Sequence, residues 1–297
     1  MALQMLGDRW ALLILRDAFL GIRRFSDFHR STGAPYGTLT ARLRTLVEQG
    51  VLYRNPIGTN SERFDYRLTG RGLDLGDFAL AIWSWQHKWG GDAGLPSGLV
   101  HRSCGHLTTP TMVCGECRDP VAWNGVTYEP GPGGQGPLPE RAVSRRRESQ
   151  RLSAAADVDR TFHRVIDIFG DRWTSRMLAA FFMGVQRYDD LSTTLGISTN
   201  ILSVRLRRLV KYDVVERVRA GNQWAYVLTP SGRDLFPAVM TIHKWSNRWA
   251  AGKDGPSILI RHVGCHERLD PLIVCNRCNA PLKLEELDLR RSRTTRR

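Results

Sequence analysis

The sequence predicts a mainly α chain with small β wings, laid down twice, each copy followed by a short cysteine-bearing element. Three observations carry this. The pattern L-x-x-R-L-R-x-L occurs as Leu39, Arg42, Leu43, Arg44, Leu46 and again, 163 positions later, as Leu202, Arg205, Leu206, Arg207, Leu209. Gly7-Asp8-Arg9-Trp10 returns as Gly170-Asp171-Arg172-Trp173 at the same offset. A third motif, H-x2-C-x9-C-x2-C, appears as His101, Cys104, Cys114, Cys117 and as His262, Cys265, Cys275, Cys278.

The elements of one copy follow from periodicity. A first helix spans Leu3–Leu20 with Trp10, Leu13 and Ile14 on its apolar side, and a short second helix covers Phe25–Arg30. Gly33 and Pro35 then break the chain. In the third helix Leu39, Leu43 and Leu46 recur at i, i+4, i+7, so they share a buried face. Gly37, Thr40, Ala41, Arg44 and Thr45 fall on the opposite face, with Arg42 nearer the edge of the stripe. Val51–Asn55 and Arg63–Leu68 read as a hairpin around Gly58-Thr59-Asn60. Thr69 caps a last helix over Gly72–Trp89. The second copy repeats the order with helices near Asp159–Met183, Tyr188–Leu195 and Thr199–Tyr212, a hairpin Val214–Val227 around Gly221-Asn222, and a helix Ser231–Ala250. Helix, helix, helix, two-stranded wing, helix is a winged helix-turn-helix.

These elements divide the chain. Residues 1–95 form the first winged unit and 96–123 a zinc-ribbon-like element. Residues 124–157, rich in Gly and Pro and then Arg, read as a solvated linker. Residues 158–255 form the second winged unit, 256–286 a second ribbon-like element, and 287–297 a disordered basic tail. The second copy has Asp159–Val165 and four further residues ahead of its Gly-Asp-Arg-Trp, where the first copy has only six residues in all. The first copy therefore lacks part of its opening helix, or the true start lies upstream.

Composition narrows the function. At 42% hydrophobic and 24% charged residues, the 297-residue chain is globular. A formal charge of +14 points to a polyanionic partner, nucleic acid before an anionic membrane surface. No apolar run reaches the roughly 18–20 residues needed to span a bilayer. Asp8 and Arg9 interrupt the only signal-like stretch, so the protein is expected in the cytoplasm. There its six cysteines are metal ligands or thiols rather than disulfides. No nucleophile–base pair, phosphate loop or open metal site is present, so an enzyme is not expected.

Each cysteine motif supplies three thiols and one imidazole, the donor set of a closed tetrahedral zinc site. Two structural zinc ions are expected, one on His101, Cys104, Cys114 and Cys117, the other on His262, Cys265, Cys275 and Cys278. His106 and His266 are alternatives for the fourth ligand. A redox-active C-x-x-C pair and inert buried cysteines are the rival readings.

With these residues in view, the chain resembles the HxlR-type winged-helix transcriptional regulators of bacteria. The carrying residues are Gly-Asp-Arg-Trp, Arg24–Asp27, the leucine–arginine helix and Tyr66–Thr69 leading into Gly72. In the second copy they are Gly170–Trp173, Arg187–Leu191, Leu202–Leu209 and Tyr226–Gly232. The resemblance implies sequence-specific binding of duplex DNA, usually by a homodimer on an inverted repeat, with the first and last helices forming the dimer contact. The electrophile-sensing cysteine near the first helix of some members does not carry over, because no cysteine precedes Cys104.

The third helix of each copy would then enter the major groove. Candidate contacts are Tyr36, Thr38, Thr40, Arg42 and Arg44, and in the second copy Thr199, Asn200, Ser203, Arg205 and Arg207, with Arg208 toward phosphate. Arg42 and Arg205 have a second reading as salt bridges at the rim of the core. Asn60, Arg63, Arg219 and Asn222 are candidate wing contacts. The two reading surfaces differ, so an operator with unlike halves is expected, bound by an intramolecular pseudo-dimer, with further homodimerisation open. A flexible linker of this length would span on the order of 30 Å. The pairs Trp85/Trp89 and Trp245/Trp249 suggest core packing or a copy-to-copy interface, and less readily an aromatic effector pocket. The alternative function is a thiol- or zinc-based redox or protein-interaction module, with DNA binding secondary.

Overall fold

The computed structural model describes residues 7–58, 63–90, 96–134 and 162–290. In the first copy, Asp8 ends the incoming chain by accepting hydrogen bonds from the backbone N–H groups of Trp10 and Ala11, and α1 (Arg9–Phe19) follows. Next come α2 (Phe25–Thr32) and α3 (Tyr36–Glu48). The turn between them passes through Gly33 at φ +64°, a left-handed conformation that glycine adopts without strain. Leu39, Leu43 and Leu46 are fully buried, as their spacing requires. The wing is β1 (Leu52–Pro56) antiparallel to β2 (Phe64–Leu68), with Leu52 opposite Leu68. Its tip, 59–62, lies outside the described residues.

The expected last helix is two helices, α4 (Gly70–Leu73) and α5 (Gly76–Trp89). Thr69 caps α4 through the N–H of Gly72 and also donates to the carbonyl of Gly50, just past α3. Gly72 is obligatory here, because a Cβ would run into the carbonyl of Val51. The cysteine-bearing segment adds β3 (Gly98–His101), β4 (His106–Thr108), β5 (Pro110–Cys114) and β6 (Val126–Pro130).

The second copy begins with α6 (Phe162–Phe169) and α7 (Arg172–Phe182), where one continuous helix over 159–183 was expected. Asp171 makes the break. Its backbone is extended and its carboxylate caps Trp173 and Thr174. Then follow α8 (Tyr188–Leu195), α9 (Thr199–Lys211), β7 (Val215–Ala220), β8 (Gln223–Leu228), α10 (Pro230–Arg233) and α11 (Phe236–Trp249). Leu202, Leu206 and Leu209 fill the second core. The chain continues through β9 (Ile258–His262), β10 (Pro271–Cys275) and β11 (Leu287–Arg290).

Two expectations about the connecting segments fail. Residues 126–130 are not solvated linker but the strand β6, paired with β9, and Pro132–Gly134 form a 3-10 turn against it. Gly131 and Gly133 pack so close to the carbonyls of Pro256 and Gly255 that no side chain would fit. Likewise 287–290 is not tail but β11, paired with β3. The rest of both stretches, 135–157 and 291–297, lies outside the described residues.

The two copies face one another about an approximate two-fold axis. In the β5/β10 ladder Met112 opposes Ile273, the same position of the repeat, so each strand meets its own counterpart. The helices α5 and α11 pack together, and four indoles bond across. Trp85 Nε1 donates to Ser231 O and Trp245 Nε1 to Arg71 O, each at 2.8 Å. Trp89 Nε1 donates to Asp234 and Trp249 Nε1 to Asp74, also at 2.8 Å. The tryptophan pairs are thus interface anchors. Arg164 adds bonds to Trp89 O and Tyr212 O, tying α6 to both copies.

One group in this interface gives the fold a pH dependence. Burial pushes the carboxyl of Asp77 up to about 6; Lys244 opposes the shift, while Asp74 and Asp270 add to it. An acid with a raised folded pKa holds its proton more tightly when folded. Its contribution is therefore fully present below the unfolded value of 3.8 and is lost as pH rises through 6. Two pH units correspond to about 3 kcal/mol. Asp77→Asn is expected to raise the thermal midpoint at pH 7 while leaving it unchanged below pH 4, in melts run across that range.

Candidate nucleic-acid interface and metal centres

The outward faces of α3 and α9 are small, hydroxylated and basic. Tyr36 is 64% exposed and packs at a tilt against His29 and Phe25, with centroids 4.5 and 5.1 Å away. Thr40 is exposed, and its hydroxyl bonds back to Tyr36 O. Thr38 is half-buried. Arg44 is exposed beside Glu48, 3.5 Å away. In the second copy Thr199, Asn200 and Arg207 are exposed, and Lys211 stands where the first copy has Glu48. Arg208 is half-buried, 4.0 Å from Asp167.

Three candidate contacts are committed elsewhere. Arg42 pairs with Asp8 at 2.8 Å and Arg205 pairs with Asp171. These carboxylates cap α1 and α7, so both arginines fasten the reading helix to the first helix of its unit instead of reaching outward. That is the salt-bridge reading, and its reason is the Asp of the Gly-Asp-Arg-Trp motif. Ser203 Oγ is bonded at 2.8 Å to the hydroxyl of Tyr188, which donates to Thr199 O. It therefore closes the helix-turn-helix internally.

On the wings, Arg63, Arg219 and Asn222 are exposed, and Asn60 lies outside the described residues. Sequence reasoning missed a second feature. The guanidinium of Arg217 sits 4.1 Å from the ring centroid of Trp224, which is 44% exposed, and Arg219 lies 5.3 Å from it. Arg54 over Phe64 at 4.6 Å is the counterpart in the first copy. The signal was the i, i+2 spacing of Arg217 and Arg219, which puts both on one face of β7.

The eight cysteine and histidine candidates come together, but not in the grouping their order suggests. One cluster is His101, Cys104, Cys275 and Cys278; the other is Cys114, Cys117, His262 and Cys265. In each, the four ligand atoms lie within 4.8 Å of one another. The self-contained elements 96–123 and 256–286 are therefore replaced by two shared ones. The cause is the antiparallel β5/β10 ladder, which sets Cys114 opposite Pro271 and Cys275 opposite Pro110. Four residue steps, about 13 Å, separate Cys114 from Cys275 along it. Each Cys-x-x-Cys knuckle thus meets the His-x-x-Cys arm of the other copy. His106 and His266 are exposed and outside both clusters.

The geometry suits a cation. In the first cluster His101 Nδ1 faces Cys104 Sγ at 3.6 Å and Cys278 Sγ at 3.4 Å; in the second, His262 Nδ1 faces Cys117 at 3.3 Å and Cys265 at 3.4 Å. Burial raises the Cys275 thiol, but Thr108 and the N–H groups of Cys278 and Arg277 outweigh it and bring it down to about 6. Behind His101 stands Glu286, 3.8 Å from Nε2. The repeat places Gly125 at the corresponding position of the other cluster.

Comparison with known proteins agrees with this architecture. The HxlR-like helix-turn-helix family matches residues 5–93 and 168–254, more than half of the chain. An uncharacterised HTH-type transcriptional regulator of Mycobacterium tuberculosis H37Rv is 42% identical over 133 residues, 44% of this chain and 84% of that protein. The HTH-type transcriptional regulator YvaP of Bacillus subtilis is 31% identical over 94 residues, 30% of this chain and 85% of YvaP. The chain belongs, in both of its winged units, to the HxlR-like helix-turn-helix family.

Proposed function

We propose that this protein is a transcriptional regulator that binds double-stranded DNA in a sequence-specific manner through α3 and α9. Its two winged units act as a pseudo-dimer on one operator, and two structural zinc ions occupy the Cys3His clusters. The observation that carries the reading is the duplicated helix whose leucine stripe is buried and whose arginine face is open to solvent. Membership of a helix-turn-helix family whose relatives are named as transcriptional regulators supports it. Three thiols and an imidazole per cluster are the donors zinc takes in closed sites.

Base contacts come from Tyr36, Thr38, Thr40 and Arg44 on one half and from Thr199, Asn200 and Arg207 on the other. Arg208, Arg63, Arg219, Asn222 and the Arg217–Trp224 stack approach phosphates. The halves are unequal in charge. Glu48 neutralises Arg44, whereas Arg207 and Lys211 add. Arg207→Ala is therefore expected to weaken operator binding by about 1–3 kcal/mol and to relax sequence preference, with Arg44→Ala doing less, whereas Arg208→Ala should lower the salt slope by about one. Electrophoretic shifts on the promoter region of its own gene, with competitor DNA at two salt concentrations, measure both. Equal, sequence-independent losses would reject specific reading.

A further inference from the structure

Every strand pair between β5 and β10, β6 and β9, and β3 and β11 joins one copy to the other, and so does each Cys3His cluster. We propose that the two metal centres are clasps. The bound metal, rather than the peptide between the copies, fixes the separation and angle at which α3 and α9 are offered to DNA. Metal loading then decides which half-site spacing the protein accepts. This rests on the DNA-reading and zinc assignments above.

The physical case has two parts. First, the shared sheets are ladders of four or five residue pairs in two or three strands. Isolated two-stranded ladders are marginal in water, and here β5/β10 leans on α5 and α11; a metal would add a covalent staple to that packing. Each centre supplies one by drawing two ligands from each copy. Cys114, Cys275 and His101 are fully buried and His262 nearly so, while Cys104, Cys117 and Cys265 are half-buried and Cys278 is exposed, so each centre has a buried inner side and an outer side that solvent reaches.

Second, a continuous set of contacts leads from the centres to the reading helices. The β5/β10 ladder rests on α5 and α11. Ser84 donates to Pro110 O, and Lys244 donates to Pro271 O at 2.9 Å while pairing with Asp270 at 2.7 Å. Trp85 of α5 bonds to Ser231 in α10, and Trp245 of α11 bonds to Arg71 in α4. The residues that cap α4 and α10, Thr69 and Thr229, bond to Gly50 O and Asp213 O, immediately after α3 and α9. Each step crosses or closes a junction between rigid elements. A shift of the ladder is therefore carried to both reading helices, in opposite senses across the two-fold axis.

The test places genetically encoded, cysteine-independent spin labels at Glu48 and Lys211, exposed and equivalent in the two copies. Their distance distribution is measured in the zinc-loaded full chain, after stripping with a strong chelator, and after zinc is returned. Circular dichroism is recorded alongside, and binding is measured with the unlabelled chain on duplexes selected from a random pool and then varied in half-site spacing. The clasp predicts a narrow distribution when loaded and at least a twofold broader one when stripped, with helical signal retained and recovery on zinc return. It also predicts a preference of tenfold or more for one spacing, lost on stripping. Cys278→Ser, at the exposed ligand of one centre, gives an intermediate width. A distribution that stays narrow without metal overturns the clasp and leaves the DNA and zinc assignments standing. Loss of helical signal on stripping also overturns it, making the metal a folding requirement of the whole chain. A chain that takes up no zinc overturns it through the zinc assignment. A metal-dependent distance without DNA binding overturns it through the reading assignment.

Discussion

Paired ligand substitutions are expected to separate the two possible groupings of the metal centres by the number of ions retained. Cys275→Ser combined with Cys104→Ser removes two ligands from one shared centre and should leave one zinc per chain. Cys275→Ser combined with Cys265→Ser removes one ligand from each centre and should leave none tightly held. Self-contained elements would give the reverse pattern. The effect is large because a closed thiolate site contributes on the order of 10–16 kcal/mol of apparent binding free energy. The lost thiol is also buried, with Cys275 Sγ 3.9 Å from Cys104 Sγ and the N–H of Arg277 3.4 Å away. Metal analysis after dialysis against a weak chelator reads the count directly.

Leu206→Ala is expected to destabilise the second winged unit by about 2–5 kcal/mol. Leu206 is 1% exposed and lies between Leu202 and Leu209 in the stripe that seats α9 on its core. Truncation leaves a void on the side of the helix away from DNA. The denaturation midpoint should therefore fall markedly, and operator affinity should fall with it as α9 loses its fixed seat. Arg207→Ala, one residue on, should weaken binding without moving the midpoint. Chemical denaturation followed by far-ultraviolet circular dichroism distinguishes the two. Leu43→Ala should show the same behaviour in the first copy, where Leu43 is also fully buried.

Much of the architecture was legible because it is written in local periodicity. The leucine stripes, the glycine turns, the wings and the repeat itself all lie within windows of a few tens of residues. The break at Asp171 was passed over because apolar periodicity runs on both sides of it, although Gly170 ends α6 and the aspartate caps α7. That same aspartate claims Arg205, as Asp8 claims Arg42, so the motif that marks the repeat also withdrew one arginine from each predicted interface. The strand β6 was hidden by the Pro-Gly run that follows it, although Val126-Thr127-Tyr128 is strand-prone. The sharing of ligands could not be read at all. The spacing H-x2-C-x9-C-x2-C is satisfied equally by closure within a copy and by closure between copies, and only the antiparallel register of β5 on β10 selects the second.

That register has a consequence for how the protein can be divided. A protease nick or a split gene anywhere between 135 and 161 would interrupt the backbone while leaving every interwoven ladder and both composite knots in place, so the two fragments would travel as one particle. Deleting either fragment would instead strand four ligands on the survivor. The halves are separable as polypeptides, but each would keep only two of the four ligand positions of either cluster.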